Sequence, residues 1–201
     1  MLSFLRRIGR LKMLPRSGWL SHGVGLRDVE SIADHSFSVL VLSLVLADLE
    51  VKRGIKVDVE KVLRMAALHD IGEALTFDIS KAYLEYLGKK GEVIKRELED
   101  SAWRTLISEL NTPQLANKYA RIQFEYNAHE TIESKIVHAA DGLDILLQVL
   151  DYRQKGYTEP LLAELWNTTY SSLRKCKIAS ARNILKEVAQ QNLKTRRTKV
   201  R

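Results

Sequence analysis

The hydrophobic positions of this chain recur at the spacing of an amphipathic helix rather than at the alternation of a strand. The clearest stripe repeats at i, i+3, i+4, i+7 and i+8 and consists of Phe37, Leu40, Val41, Leu44 and Val45. Ser31 and Asp34 precede it in the manner of a capping box, and Gly54 ends the segment. Because much of the other face is apolar too, we predict that this helix occupies the centre of the domain.

The same periodicity predicts helices along most of the remaining chain. One helix is capped by Asp58 and has an apolar stripe that leads to His69, with a loop at 89–91 after it. Four more are predicted at about 92–110, 113–127, 130–152 and 159–191, and Gly156 separates the last two. Strand-like alternation is absent, and the chain has only 10 Gly and 3 Pro. The predicted fold class is therefore all-α, a globular bundle of about six to eight helices.

Charge adds a C-terminal feature to this picture. The net charge is +7, and five basic residues lie in the last eight, KTRRTKVR. We expect residues 1–192 to form a single domain and residues 193–201 a basic, disordered tail. A nucleic-acid contact of the tail is the alternative. No aromatic residue is interleaved with these charges, however, so nucleic acid is not the expected partner.

The single cysteine and the N-terminal segment indicate where in the cell the protein is expected. Cys176 is the only cysteine, which favours a reducing cytoplasm over an oxidising compartment. No stretch approaches about 18 uninterrupted apolar residues, so we do not expect a transmembrane helix. The N-terminal LSFLRRIGRLKML has the composition of a targeting peptide or a membrane-surface helix, but a docked first helix is the favoured interpretation.

Four ionisable residues stand out in the stretch ALHDIGEALTFDIS, namely His69, Asp70, Glu73 and Asp78. Helical spacing places His69 and Glu73 on one face, although a lone His–Asp pair is usually a core histidine and its partner. Two more ionisable groups, His35 and Asp141, begin or interrupt apolar helices elsewhere. Buried ionisable groups need partners, and one divalent cation such as Zn, Mn, Fe or Co would satisfy four of them together. Those four are His35, His69, Asp70 and Asp141.

Longer segments around these residues resemble a known family. PRSGWL, ESIADHSF, ALHDIGEALTFDIS and KIVHAADGLD are similar to the HD-domain superfamily of metal-dependent phosphohydrolases, in its 5′-deoxynucleotidase branch. The resemblance covers Leu11 to about Tyr152. It implies an all-α protein, usually a homodimer, that hydrolyses deoxyribonucleoside 5′-monophosphates to deoxynucleoside and phosphate with a metal-activated water.

The resemblance also implies a role for each matching residue. His35, His69, Asp70 and Asp141 would hold one divalent metal ion, with Co, Mn, Zn, Fe, Ni and Mg as the candidates. Glu73 would be the catalytic carboxylate and Asp78 a second one, while Arg16 and Trp19 would meet the phosphate and the sugar of the nucleotide. The residue chemistry agrees, since an arginine offers a bidentate fork for phosphate.

Several alternatives stay open from the sequence alone. Arg16 could be surface charge, Trp19 core, Asp78 a helix cap, His138 a partner of Asp141, and Lys81 and Lys135 phosphate-binding or simply solvated. Two residues separate Arg16 from Trp19, unlike in some bacterial members, which leaves the preference for deoxyribose open. The substrate could instead be a triphosphate, cyclic or signalling nucleotide. A non-catalytic helical module that binds nucleic acid is the third hypothesis.

Overall fold

The computed structural model describes residues 1–79, 84, 86–157 and 161–198 of the protein. Within these residues the helices are α1 (Leu2–Ile8), a 3-10 helix (Gly9–Lys12), α2 (Ser17–Ser21), α3 (Ile32–Lys52), α4 (Val59–Leu68), α5 (Glu73–Thr76), α6 (Lys89–Ser108), α7 (Pro113–Ala128), α8 (Ile132–Gln154), α9 (Leu161–Arg174) and α10 (Ala179–Thr198). The described residues contain no β-strand, and Pro15 and Ser31 form one isolated bridge. The predicted all-α class is confirmed, because seven of these helices have ten or more residues.

The helix-start signals in the sequence act as predicted. The backbone N–H of Ser31 donates to Asp34 Oδ2 at 2.9 Å, and the N–H of Asp34 donates to Ser31 Oγ at 3.1 Å, which is the reciprocal pairing of a capping box. The N–H of Lys61 donates to Asp58 Oδ1 at 3.0 Å at the start of α4. These side chains satisfy N–H groups that a helix leaves without an internal partner, so they fix where α3 and α4 begin.

The chain divides into two compact units. The first consists of Met1–Phe37 and Ala67–Asn127, and the second of Ser38–Ala66 and Ala128–Arg201. Both boundaries of the inserted segment fall inside or next to long helices, α3 and α4, rather than in linkers. The expectation of one domain over residues 1–192 stays a prediction.

The first unit contains the docked N-terminal helix that the sequence favoured. Phe4 of α1 and Leu11 of the following 3-10 helix are buried. Arg7 Nε donates to Glu109 Oε1 at 2.7 Å, directly after the end of α6. The same unit contains α5, which packs between the N-terminal segment and α6. The N-terminal segment is therefore anchored by both apolar burial and an ion pair.

The core of the second unit is built around α8. Its residues Ile136, Leu143 and Leu146 are fully buried, and α9 and α10 both pack against it. Gly142 permits the close approach of α9, since a Cβ at this position would lie 3.2 Å from the side chain of Leu173. The N–H of Ser180 at the start of α10 donates to Glu50 Oε1 at 2.8 Å, which accounts for the buried carboxylate on α3.

The helical period of α3 was predicted correctly, but the buried face was predicted wrongly. Four members of the predicted inner stripe are exposed by 38–68%, namely Phe37, Val41, Leu44 and Val45. The face that is buried instead carries Ile32, His35, Val39, Ser43, Leu46, Ala47 and Glu50. This buried face also follows helical spacing, but it includes polar residues. A prediction from hydrophobic periodicity places polar residues at the surface. Glu50 accepts a hydrogen bond from the N–H of Ser180, and His35 lies beside Asp70, so the burial of these two groups is tolerated.

The length and composition of α3 also meet the minimum for a membrane-spanning helix. Among the described residues it alone passes this test, and 33% of the qualifying window is buried inside the protein. The core helix of a soluble protein passes the same test. The length and composition of α3 are therefore weak evidence for a membrane-spanning helix.

Three helix boundaries differ from the prediction. The expected loop at 89–91 is the first turn of α6. The expected helix over 159–191 is two helices with a break at 175–178, where Ile178 is fully buried and Arg182 Nη1 donates to the carbonyl oxygen of Cys176 at 2.6 Å. No Gly or Pro lies at 175–178 to indicate a break in the helix. The tail expected to be disordered is helical as far as Thr198, in keeping with the helix propensity of Lys and Arg, and residues 199–201 lie outside the described part.

Candidate functional site

The backbone that carries the His–Asp pair is a tight turn, which corrects the expectation of one continuous helix. Helix α4 ends at Leu68, and α5 begins at Glu73. Between them the N–H of Glu73 donates to the carbonyl oxygen of Asp70 at 3.0 Å, so the hydrogen bonds span three residues rather than four. Gly72 lies against the Trp103 ring of α6, and a Cβ there would be 3.2 Å from Trp103 Cδ1. Close packing on α6 thus holds the turn in place.

Three of the four predicted metal ligands converge within the first unit. His35 Nε2 lies 3.5 Å from Asp70 Oδ2, and His69 Nε2 lies 3.2 Å from the same oxygen. One ligand atom from each residue lies within 4.8 Å of the others, and both imidazoles are buried. Two imidazoles and a carboxylate that point at one position form a donor set suited to Zn, Mn, Fe or Co. The residues present therefore fit a divalent cation.

Arg16 and Asp78, both predicted on resemblance, belong to the same cluster. Arg16 Nη1 donates to Asp70 Oδ2 at 3.0 Å and lies 3.8 Å from Glu73 Oε2, while its Nε lies 3.9 Å from Asp78 Oδ2. Asp78 Oδ2 also accepts a 2.7 Å hydrogen bond from the N–H of Ser17. Asp78 thereby ties the segment that carries Arg16 to the turn that carries the other carboxylates. Arg16 is not merely surface charge, since it faces three carboxylates.

The cluster separates the protonation behaviour of its two central carboxyl groups. Burial raises the pKa of Glu73 to about 10, with the Asp70 charge adding to the rise and the Arg16 charge opposing it. Burial also raises the pKa of Asp70, but the charge and hydrogen bond of His69 and the charge of Arg16 outweigh it, so the net shift is downward. Without a metal ion, Asp70 is thus ionised and Glu73 protonated at neutral pH.

Trp19 is almost fully buried, whereas a ring that only covers a substrate would be exposed in the absence of the substrate. It is 3% exposed, and its Nε1 donates to Glu30 Oε1 at 2.6 Å. The carbonyl oxygen of Glu30 accepts the N–H of Arg16 at 3.0 Å, so Glu30 contacts both ends of the Arg16–Trp19 segment. Glu30 lies within ESIADHSF, but the sequence predicts no role for it, because nothing in the pattern pairs it with an indole eleven residues earlier.

Tyr126 is a second residue of the cluster that no sequence pattern indicates. Its ring meets the His69 imidazole edge-on, with centroids 6.0 Å apart and an interplanar angle of 67°. It lies near the end of α7, far from the motif in the chain, where no sequence signal connects it to His69. Tyr126 therefore packs against a candidate metal ligand.

The fourth predicted ligand, Asp141, belongs to the second unit. It is half-buried on α8, and its role as a metal ligand stays a prediction. His138, the alternative partner for Asp141, stacks on His129 with ring centroids 4.0 Å apart. Lys135 donates to the carbonyl oxygen of Glu130, and Lys81 lies outside the described residues.

Comparisons with known proteins agree on one family. A family model described as an HD domain matches residues 8–181. The chain is 27% identical to the 5′-deoxynucleotidase HDDC2 of Homo sapiens, over 84% of this chain and 76% of that protein. It is 29% identical to the 5′-deoxynucleotidase hdd1 of Schizosaccharomyces pombe, over 80% of this chain and 76% of that protein. A solved structure of a conserved hypothetical protein from Pyrococcus furiosus matches with a TM-score of 0.79 and 34% identity, over 94% of this chain and 99% of that chain.

Proposed function

Because this chain belongs to the HD-domain family, we propose that it is a metal-dependent 5′-deoxynucleotidase. It would hydrolyse deoxyribonucleoside 5′-monophosphates to deoxynucleoside and phosphate, the activity named for its human and fission-yeast relatives. The observation that carries the proposal is the convergence of His35 and His69 on Asp70, with Arg16 and a half-buried Glu73 beside them. This combination supplies ligands for a cation, a positive charge for phosphate and a proton donor.

The metal would be held by His35, His69 and Asp70, with Asp141 as the proposed fourth ligand. When bound, a divalent cation acts as a Lewis acid toward the phosphoryl group and activates water for attack on phosphorus. Co, Mn, Zn, Fe, Ni and Mg are the candidates, and the two imidazoles favour the transition metals over Mg.

Arg16 and Glu73 would act on the phosphate ester itself. The Arg16 guanidinium carries a planar fork of N–H donors that suits phosphoryl oxygens, and its positive charge would neutralise that of the phosphate. Hydrolysis breaks the bond between phosphorus and the 5′ oxygen, and that oxygen then needs a proton. Glu73 is the group suited to donate it, because its carboxyl lies beside Arg16 at the cluster and burial raises its pKa. Asp78 positions the Arg16 segment, whereas Trp19, predicted to meet the sugar, is buried and supports that segment through Glu30.

Replacing Glu73 tests this assignment. We expect Glu73→Ala to abolish phosphate release from deoxynucleoside monophosphates while metal content, measured by plasma mass spectrometry, stays at the parental level. Glu73→Gln is the matched control for shape, and it should be equally inactive because it cannot transfer a proton. Full activity of Glu73→Ala would disprove the mechanism.

The substrate is tested by a phosphate-release assay on the purified protein. Deoxy- and ribonucleoside monophosphates, triphosphates and cyclic nucleotides are each combined with several divalent metals. We expect turnover of the deoxynucleoside monophosphates above the other classes. Turnover confined to triphosphates or cyclic nucleotides would support the alternative substrate class instead.

A homodimer and a cytoplasmic location complete the proposal. The dimer is supported by the exposed apolar face of α3, which consists of Phe37, Val41, Leu44 and Val45 and which we call the α3 face. Contiguous exposed apolar side chains of this kind are typical of protein–protein contacts. The location rests on the single cysteine, Cys176, which leaves no pair for an internal disulfide.

A further inference from the structure

Phe77 adopts a backbone conformation that is nearly reserved for glycine. It follows α5 with φ 62° and ψ 168°. A bulky side chain in this region is strained, because its Cβ crowds the neighbouring backbone. The other non-glycine residues with positive φ in the described part are Asn111 and His129, both of types that tolerate left-handed backbone. Phe77 is therefore the one bulky residue among them.

Burial does not compensate for this strain. Phe77 is 55% exposed, so it leaves a large apolar residue in contact with water. A glycine would adopt the same backbone without strain and without exposing apolar surface. The Phe77 residue thus destabilises the fold through both its strained backbone and its exposed apolar surface. Strained residues of this kind cluster at functional sites.

The position of Phe77 links it to the proposed active site. Its N–H donates to the carbonyl oxygen of Glu73 at 2.9 Å, and the next residue is Asp78, which accepts from the N–H of Ser17. The ring therefore leaves the chain between the proposed proton donor and the carboxylate that positions the Arg16 segment. Phe77 is thus an exposed aromatic residue in the segment that joins two carboxylates of the charged cluster.

We propose that Phe77 binds the nucleobase of the substrate by stacking, and this inference rests on the proposed function. With the phosphate held at Arg16 and the metal ligands, the base is the part of a nucleotide that extends away from the charged groups. An aromatic ring stacks on any base, because every base has a π-face. Phe77 therefore contributes affinity for nucleotides over base-free phosphate esters while discriminating little between bases.

Three substitutions separate stacking from strain. Phe77→Tyr keeps the aromatic face, Phe77→Leu keeps apolar bulk without it, and Phe77→Gly removes the side chain and the strain. We expect Phe77→Leu and Phe77→Gly to raise KM for deoxynucleoside monophosphates by about tenfold, with kcat little changed, and Phe77→Tyr to stay close to the parent. The melting temperature of Phe77→Gly should exceed that of Phe77→Leu by roughly 2–6 °C, because the strain is gone.

A base-free ligand provides the second readout. The inhibition constant of 2-deoxyribose 5-phosphate should be the same for the parent and for Phe77→Gly, since this ligand has no base to stack. Parental KM values in both Phe77→Leu and Phe77→Gly, or an equal loss of affinity for 2-deoxyribose 5-phosphate, would overturn the inference. A parent protein that releases no phosphate from any nucleotide refutes the proposed function instead, so the two failures are distinguishable.

Discussion

Asp70 and Glu73 are three residues apart and both largely withdrawn from solvent, yet their neighbours give them opposite protonation states. His69 and Arg16 hold the pKa of Asp70 down against the effect of burial. Burial and the negative charge of Asp70 hold the pKa of Glu73 up. Two carboxyl groups whose pKa values are driven apart can serve as ligand and proton donor respectively. The division of roles thus follows from which residue each carboxyl faces.

Glu30 provides a residue-scale prediction about the Arg16–Trp19 segment. Glu30→Ala removes the carboxylate that accepts the hydrogen bond of a buried indole N–H. We expect a loss of about 1–3 kcal/mol in the free energy of unfolding, measured in urea, together with reduced kcat/KM. Glu30→Gln keeps an acceptor oxygen, and it should lose less than Glu30→Ala on both measures.

The same substitution in a Trp19→Phe background isolates the hydrogen bond. Without the indole N–H, Glu30→Ala should cost clearly less than it does in the parent protein. Equal costs in the two backgrounds would show that Glu30 stabilises the fold through some other contact. The backbone hydrogen bond from Arg16 N–H to Glu30 is present in every variant, so it does not distort the comparison.

The sequence predicted the site residues better than the backbone that carries them. His69, Asp70 and Glu73 were expected on one helix, but α4 ends at Leu68 and a tight turn follows. No Gly or Pro stands at the helix end, and Gly72 comes only after the His–Asp pair. The convergence with His35 joins residues 34 positions apart, which motif resemblance indicates and local spacing does not. The partners Glu30 and Tyr126 could not be found because packing alone brings them to the cluster.

At the scale of elements, caps were predictable and packing faces were not. Ser31 and Asp58 act on N–H groups within their own first turns, so the local sequence determines their role. The buried face of α3 depends on distant groups such as Ser180, whose N–H donates to Glu50. A sequence pattern ranks residues by polarity and therefore assigns Glu50 to the surface. The break at 175–178 is missed for the same reason, since tertiary burial of Ile178 produces it.

The junction between α7 and α8 carries a pH-dependent pair, His129 and His138. Burial lowers the pKa of His129, and the charges of His138 and Lys135 lower it further. The unfolded chain, with a histidine pKa of about 6.5, therefore binds a proton more readily than the folded protein does. Above that pH the pair does not lower the free energy of unfolding. As the pH falls below the pKa of the unfolded chain toward the lower pKa of folded His129, the free energy of unfolding decreases.

Replacing one imidazole tests this element. We expect His138→Gln to lose less stability than the parent between about pH 8 and pH 5, measured by urea unfolding at each pH. The two proteins should show parallel behaviour above about pH 7.5, which lies above the unfolded histidine pKa of about 6.5. A parent and variant with the same acid-side slope would show that the stacked rings do not repel each other on protonation.

At the scale of the whole molecule, the family match spans residues 8–181 and so includes segments of both compact units. The three converging ligands belong to the first unit, whereas Asp141 belongs to the second. The role of Asp141 as the fourth ligand is a proposal that metal content can test. Removing Asp141 should consequently weaken metal binding without disturbing the contacts among His35, His69 and Asp70.

The α3 face makes the oligomeric state testable. A charge at its centre, as in Val41→Glu, should disrupt a homodimer because it would bury an unpaired carboxylate in an apolar contact. We expect light scattering after size exclusion to give the parent twice the 23.0 kDa chain mass, and Val41→Glu the mass of one chain. Val93→Glu on α6 is the matched control, since Val93 is similarly exposed but lies outside the α3 face. A parent that elutes as a single chain at all concentrations, or a Val41→Glu variant that stays dimeric, would show that the α3 face is not the dimer contact.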